Sequence, residues 1–302
     1  MDWTTAHREA MFAAFEAHEQ LELDTFGRID IFDAMAADGL RLVFRRLDTA
    51  AALYLPARHG GQPGAIVNSQ HPLALQRYSA GHEYGHHVFG HGEQIDRHAE
   101  PGGPRPAASA QEKLAEAFAA WFLMPPEAAK AACERLGLDD VRQPLDAYAL
   151  ALRLGTSYTA TCTHLPSLKL VNPGIANQWR GISLKTIKQE LSATSPPGGW
   201  QNDTWLVSAA DAEVELVVRA GDRLLIDLPG YDLDTLPPGA SGELLAPTDL
   251  LSTGRWSIDL PPGLAGGPET LTLRSSSEEV TFSLLVERPR LGRYVRRATA
   301  PR

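Results

Sequence analysis

Cysteine is scarce in this chain: two in 302 residues, Cys133 and Cys162. Both stand in apolar, helix-like surroundings. They read as reduced core thiols rather than a disulfide framework, which points to the cytoplasm. Long apolar runs are missing as well. None approaches the roughly 20 residues that a membrane span needs. The opening MDWTTAHREAMFAAFEAHEQ carries an acid at position 2 and no apolar block followed by a cleavage site. The expectation is therefore no secretory leader and no membrane partner. Lysine is absent from residues 195–287, where fifteen Asp and Glu stand against four Arg. So acidic a stretch disfavours contact with a phosphate backbone. Residues 288–302, RPRLGRYVRRATAPR, invert the balance with six Arg and no acid. Such a basic tail can touch nucleic acid or an acidic patch, and is commonly a solvated end.

What is present falls into two halves. The break is TSPPGGWQND at 194–203, where two Pro and two Gly fall together. Beyond it, AEVELVVRA, DRLLIDLPG, GRWSIDL, ETLTLRSS and VTFSLLVE alternate apolar and polar residues between Pro/Gly-rich turns. That pattern predicts a small all-β domain, a sandwich or barrel, over residues 200–287. The joint predicts that the two halves are separable. Before the break the reading is α+β. Helices are expected at 5–19 and 27–37, strands at 40–46, 51–56 and 64–69, and a long helix at about 72–90. After the loop AEPGGPRPAASA, the helical segment QEKLAEAFAAWFLM stops at Pro125-Pro126. Short helices are expected at 126–136, 142–153 and 157–164.

The long helix spells HEYGHHVFGH at 82–91, four of the chain's ten histidines in ten positions. Residues four apart on a helix project on nearly one side, so His82 and His86 can aim imidazole nitrogens at a single ion. Glu83 is rotated about 100° from His82. It can sit beside the ion without binding it and take a proton from water activated there. A tetrahedral nitrogen and oxygen set with one open position suits zinc, Zn2+. His87 faces away from the pair, and His91 falls near the helix end, where histidines commonly cap carbonyls or complement the dipole. A further histidine at 92, as an extended zincin motif would require, is replaced by Gly92. The third ligand is then expected to be a carboxylate from the following helix. Glu112 and Glu116 are four apart on one face, so spacing alone leaves both open. Ser109-x-x-Glu112 also fits a capping box, in which Glu112 only folds back on the helix start.

The segment Glu112-Lys-Leu-Ala115-Glu-Ala-Phe118-Ala119-Ala-Trp-Phe-Leu123-Met124-Pro125 resembles the E-x-x-A-x-x-F-A…L-M-P signature of the ImmA/IrrE metallopeptidase family. Upstream, GAIVNSQHPLALQRYSAGHEYGHHVFGH resembles that family's strand, Asn, Arg-bearing helix start and A-H-E-x-G-H core. Gly81 replaces the usual Ala, and Tyr84 stands where an aliphatic residue is commoner. The likeness spans roughly residues 5–170. It implies an α+β zincin-like metallopeptidase domain (1–140) with a helix-turn-helix-like helical subdomain (141–194), ahead of the β domain (200–287) and basic tail (288–302). It also implies Glu112 as the carboxylate ligand beside His82 and His86, with Glu83 as catalytic base.

The family further implies a cytoplasmic endopeptidase whose protein substrate is a helix-turn-helix transcriptional repressor in a stress-response or mobile-element circuit. An extended substrate is expected to pair with a sheet edge, supplied by AALYLP or GAIVNS. Tyr158 and His164 are candidates to steady the oxyanion, against a plainer packing role. LALRLGTSYTATCTHLPSLKLV at 149–170 resembles the family's helix-turn-helix-like segment. Arg153 and Lys169 are few cations for direct DNA binding, which favours packing or substrate docking. Two rival readings are a non-catalytic metal-bearing sensor or interaction protein, and a DNA-binding regulator acting through 149–170 and the tail. A purely structural site has no use for Glu83, which tells against the first. The β domain is expected to bind an unidentified ligand or partner.

Overall fold

A computed structural model describes residues 1–57, 61–96, 109–245 and 255–294. In chain order the helices are α1 (Trp3–Gln20), α2 (Ile31–Ala37), α3 (Leu73–Val88), α4 (Ala110–Leu123), α5 (Pro126–Arg135), α6 (Pro144–Leu154), α7 (Tyr158–His164), α8 (Pro173–Arg180) and α9 (Leu184–Leu191). The first strands are β1 (Arg41–Arg45), β2 (Ala52–Leu55), β3 (Gly64–Asn68) and β4 (Gln94–Asp96). After the helices come β5 (Thr204–Val207), β6 (Glu215–Val218), β7 (Arg223–Asp227), β8 (Asp232–Thr235), β9 (Ser241–Leu245), β10 (Arg255–Asp259), β11 (Gly267–Arg274), β12 (Glu279–Val286) and β13 (Gly292–Arg293). No helix among the described residues is long and apolar enough to cross a membrane.

The chain divides into two units. The first gathers Met1–Ala131, Leu154–Asn177 and Pro289–Arg302; the second gathers Ala132–Arg153 and Gln178–Arg288. In the first, the sheet runs β13-β1-β3-β2-β4, with β1 and β3 parallel and every other pair antiparallel. Alternation along β1 and β3 turns Leu42, Phe44, Ala65 and Val67 into the core. Helix α3 packs on β2, β3 and α4, and α1 packs on α4. Asp2 caps α1, accepting from the Thr5 amide at 2.7 Å. The buried stripe Ala6, Ala10, Ala14 and Ala17 has the helical repeat and only methyl groups, which permits close approach to α4.

The second unit holds two four-stranded sheets, β5-β7-β10-β9 and β6-β12-β11-β8. Trp205, Leu224, Ile226 and Ile258 from the first share one apolar core with Leu216, Leu271, Phe282 and Leu284 from the second. Helices α6 and α9 belong to this unit through ion pairs. Arg153 holds Asp211 bidentately, Nε to Oδ1 at 3.1 Å and Nη2 to Oδ2 at 2.7 Å. Lys188 pairs with Asp203 at 2.9 Å, and Tyr148 donates to the same carboxylate at 3.1 Å.

These contacts group the chain differently from the boundaries read off the sequence. The Pro/Gly joint at 194–203 lies inside the second unit, because its helical partners precede it. The two helices flanking the Gly155-Thr-Ser turn fall in different units, α6 in the second and α7 in the first. Part of the basic tail is a strand rather than a solvated end. Val43 and Phe44 of β1 pair with Arg293 and Gly292, the Tyr294 hydroxyl donates to Asp33 at 2.6 Å, and the Arg290 guanidinium lies over the Phe32 and Tyr294 rings. Residues 295–302 of that tail, and 97–108 of the loop before α4, lie outside the described residues.

The strands expected to offer an edge are interior. β3 lies between β1 and β2, and β2 lies between β3 and β4.

Candidate metal centre

Helix α3 is buried almost all round. His82, Glu83 and His86 are each at most 3% exposed. The approach of α4 explains how a carboxylate reaches them. A Cβ built on Gly85 would stand 2.9 Å from Ala115 Cα and 3.1 Å from its carbonyl oxygen. Only glycine allows this contact, and Ala115 is one turn beyond Glu112. The first turn of α4 is thereby laid against the last turns of α3. Gly81, in place of the family's usual Ala, is less constrained: its Cβ would meet Ala119 and Leu123 side chains at 3.4 Å, ordinary contact.

Three side chains converge there. His82 Nε2 lies 3.0 Å from His86 Nε2. Glu112 Oε2 is 3.3 Å from His82 Nε2, and Oε1 is 3.6 Å from His86 Nε2. One donor atom from each of these residues falls within 4.8 Å of the others, a set that could hold a metal ion. Ser109 caps α4, accepting from the Glu112 amide at 3.1 Å, while the Glu112 carboxylate reaches toward the histidines. Capping and ligation thus use different groups and do not compete. Burial, with His82 beside it, pushes the His86 imidazole down to about 3. It is neutral at physiological pH, the form that offers a lone pair. Two imidazoles and one carboxylate fit zinc by donor chemistry.

Around the three lies a second ring of contacts. Glu116 Oε2 is 3.6 Å from His82 Nδ1, and Tyr78 donates to Glu116 at 3.1 Å. His91 Nδ1 is 2.8 Å from His86 Nδ1. Its place near the helix end gives His91 no expected part in the site; its one local signal is that it directly follows Gly90. His87 is directed elsewhere, with Nδ1 3.1 Å from the Tyr54 hydroxyl and its ring stacked on Tyr84. Tyr84 in turn donates to Asp38 at 3.0 Å, which gives this uncommon residue a partner at the end of α2.

Residues 35–165 match the family model Peptidase M78, the IrrE N-terminal-like domain. This segment is similar to that family's domain. Among curated proteins, no sequence matches the chain. An M78 domain supports a metallopeptidase-like function and hence a protein substrate. Two residues that carry the resemblance, Asn68 and Arg77, make scaffolding contacts here. Asn68 donates to the Leu47 and Ala50 carbonyls at 2.7 and 2.9 Å, tying the β1–β2 loop to the end of β3. Arg77, buried, donates to Gly155 at 2.8 Å and Ile29 at 2.6 Å. Gly155 has φ +66° and no room for a Cβ beside Arg28 and Arg77.

The oxyanion candidates are both buried, and His164 stands edge-on to Trp121 with centroids 4.6 Å apart. Burial pushes its imidazole down to about 3, beside His7. That matches the packing role. Arg153, counted as a cation for DNA, is spent on Asp211.

Proposed function

We propose that this protein is a zinc-dependent endopeptidase that cleaves a helix-turn-helix transcriptional repressor in the cytoplasm, within a stress-response or mobile-element circuit. The observation that carries the reading is the convergence of His82, His86 and Glu112 within 4.8 Å, on an M78 domain, with buried Glu83 on the same helical turn. In this reading His82, His86 and Glu112 hold the ion, which supplies Lewis acidity at the scissile carbonyl when bound.

Glu83 is the general base. It accepts the proton of the attacking water on a carboxylate oxygen and later delivers it to the leaving amine nitrogen. Its burial strengthens that exchange by excluding bulk water. Residues 149–170 serve packing or substrate docking rather than DNA binding, and the β-rich unit senses a ligand or docks a partner.

The test is Glu83→Gln, which keeps shape but cannot take the proton. Incubated with a helix-turn-helix repressor encoded by a neighbouring gene, the wild type is expected to cut it. The variant is expected to retain zinc and fold while cleavage falls by about two orders of magnitude or more. Undiminished cleavage by the variant overturns the mechanism.

A further inference from the structure

We propose that His91 is a positioning residue for His86: its Nδ1 accepts the Nδ1–H of His86, so that His86 turns an unprotonated Nε2 toward the ion. The proposal deepens the zinc reading and rests on it. Both ring nitrogens of His86 face another imidazole, Nε2 toward His82 at 3.0 Å and Nδ1 toward His91 at 2.8 Å. A neutral imidazole carries one N–H, so the proton's place decides whether His86 can bind a cation. On Nε2 it would point at His82 and Glu112 and block ligation. On Nδ1 it leaves the lone pair where those donors converge. At 2.8 Å one of the two facing nitrogens must carry a proton, so the tautomers of His86 and His91 are coupled.

The backbone explains why His91 is available for this. Helix α3 ends at Phe89, and Gly90 adopts φ +62°. The His91 amide then donates to the His86 carbonyl at 2.9 Å and the Gly90 amide to the His87 carbonyl at 2.9 Å. This is the paired bonding of a Schellman motif, which folds the residue after glycine back over the last turn. His91 is thus tied to His86 twice, by main chain and by ring. It is 8% exposed, and its ring stacks on Phe89 at 5.8 Å. Metal-bound histidines usually donate their second nitrogen to a carboxylate or carbonyl. Here His82 has a carboxylate neighbour in Glu116, whereas His86 has an imidazole.

The test measures zinc affinity by chelator competition, with circular dichroism of each metal-free variant as the folding control. His91→Phe keeps a ring to stack on Phe89 but removes the acceptor, and is expected to weaken zinc by about 10–100-fold. His91→Asn puts an amide oxygen near the Nδ1 position and is expected to recover most of that loss. In zinc-loaded wild type with 15N-labelled histidine, long-range 1H–15N correlation should show His86 protonated at Nδ1, and His91 protonated at Nε2 alone.

Unchanged affinity in a folded His91→Phe protein overturns the proposal, as does a proton on His91 Nδ1. If His91→Phe fails to fold, the wild-type tautomers decide. His86→Ala separates the two levels: if it loses zinc while His91→Phe keeps it, only the role of His91 falls. If His86→Ala keeps zinc, or the wild type binds none, the metal reading falls and this proposal with it.

Discussion

The two units bury charged and polar side chains in opposite ways. In the β-rich unit a set of buried charges meets opposite charges: Arg153 with Asp211, Lys188 and Arg219 with Asp203, Arg223 with Asp259. Remaining valences go to neighbours, as where Lys188 donates to the Trp200 and Asn202 carbonyls at 3.1 and 2.7 Å. In the first unit three side chains of α3 and α4, His82, His86 and Glu112, are instead electron-pair donors aimed at one another. Imidazole Nε2 atoms 3.0 Å apart and a carboxylate at 3.3 Å have no such complementarity without a proton or a cation between them. A network that closes on itself holds a fold together. A convergence of donors is a receptor, and the same residue types serve both ends.

The largest effect expected from probing this contrast is on metal content. Glu112→Ala removes one of the three proposed ligands and should strip zinc from the purified protein, as measured by elemental analysis. Glu116→Ala, altering only the contact to His82 Nδ1, should keep the metal with about 10–100-fold weaker affinity. Metal lost from the second variant and kept by the first would exchange their roles.

On the other side of the comparison, Arg153→Met leaves the fully buried Asp211 carboxylate without its cation. Stability should fall by about 3–5 kcal/mol in urea titrations. A change below about 1 kcal/mol would show that the closed network contributes little.

Next in size is acid sensitivity of the metal-free protein. The imidazoles of His18 and His164 are held below their ordinary value of 6.5, both chiefly by burial. The unfolded chain takes up those protons near 6.5 and the folded chain does not, so stability is lost as pH falls below 6.5. Because His164 stays neutral down to about 3, it alone removes about 2 kcal/mol between neutral pH and pH 5. Equal urea midpoints at pH 7.5 and 5 would contradict this.

The smallest effects concern the α3–α4 contact. Gly85→Ala gains helix propensity of about 1 kcal/mol but forces a Cβ to 2.9 Å from Ala115. Overpacking of about 1–3 kcal/mol should win, with weakened zinc binding as the helices part. Gly81→Ala meets only 3.4 Å contacts and should be neutral or stabilising by up to about 1 kcal/mol. Thermal unfolding of the two variants, measured together, ranks them.

Much of this was legible locally. The four-residue spacing of His82 and His86 is helix geometry, and the helices and strands around them follow from periodicity within short windows. Alternation marked β6, β7 and β10 to β12. It did not mark β8 or β9, whose exposed, polar residues carry no apolar rhythm, nor α8 and α9, which lie in a stretch given no elements. Spacing alone could not choose between Glu112 and Glu116, since both lie on one face of α4. The choice depends on the distance between two helices, set by Gly85 meeting Ala115.

By itself, then, the sequence determined the helix that carries His82, Glu83 and His86, the capped start of α4, and the β character of the second half. Each depends on residues within a turn or a strand of one another. Tertiary structure alone decided that Glu112 meets the two imidazoles, that Arg153 and Lys188 fasten their helices to the β-rich unit, and that residues 292–293 close the edge of a sheet begun at residue 41. Two paired residues brought back across some 250 positions leave no periodic trace in the chain. Their partners are chosen by which edge is open and which carboxylate is buried, and those are properties of the folded molecule.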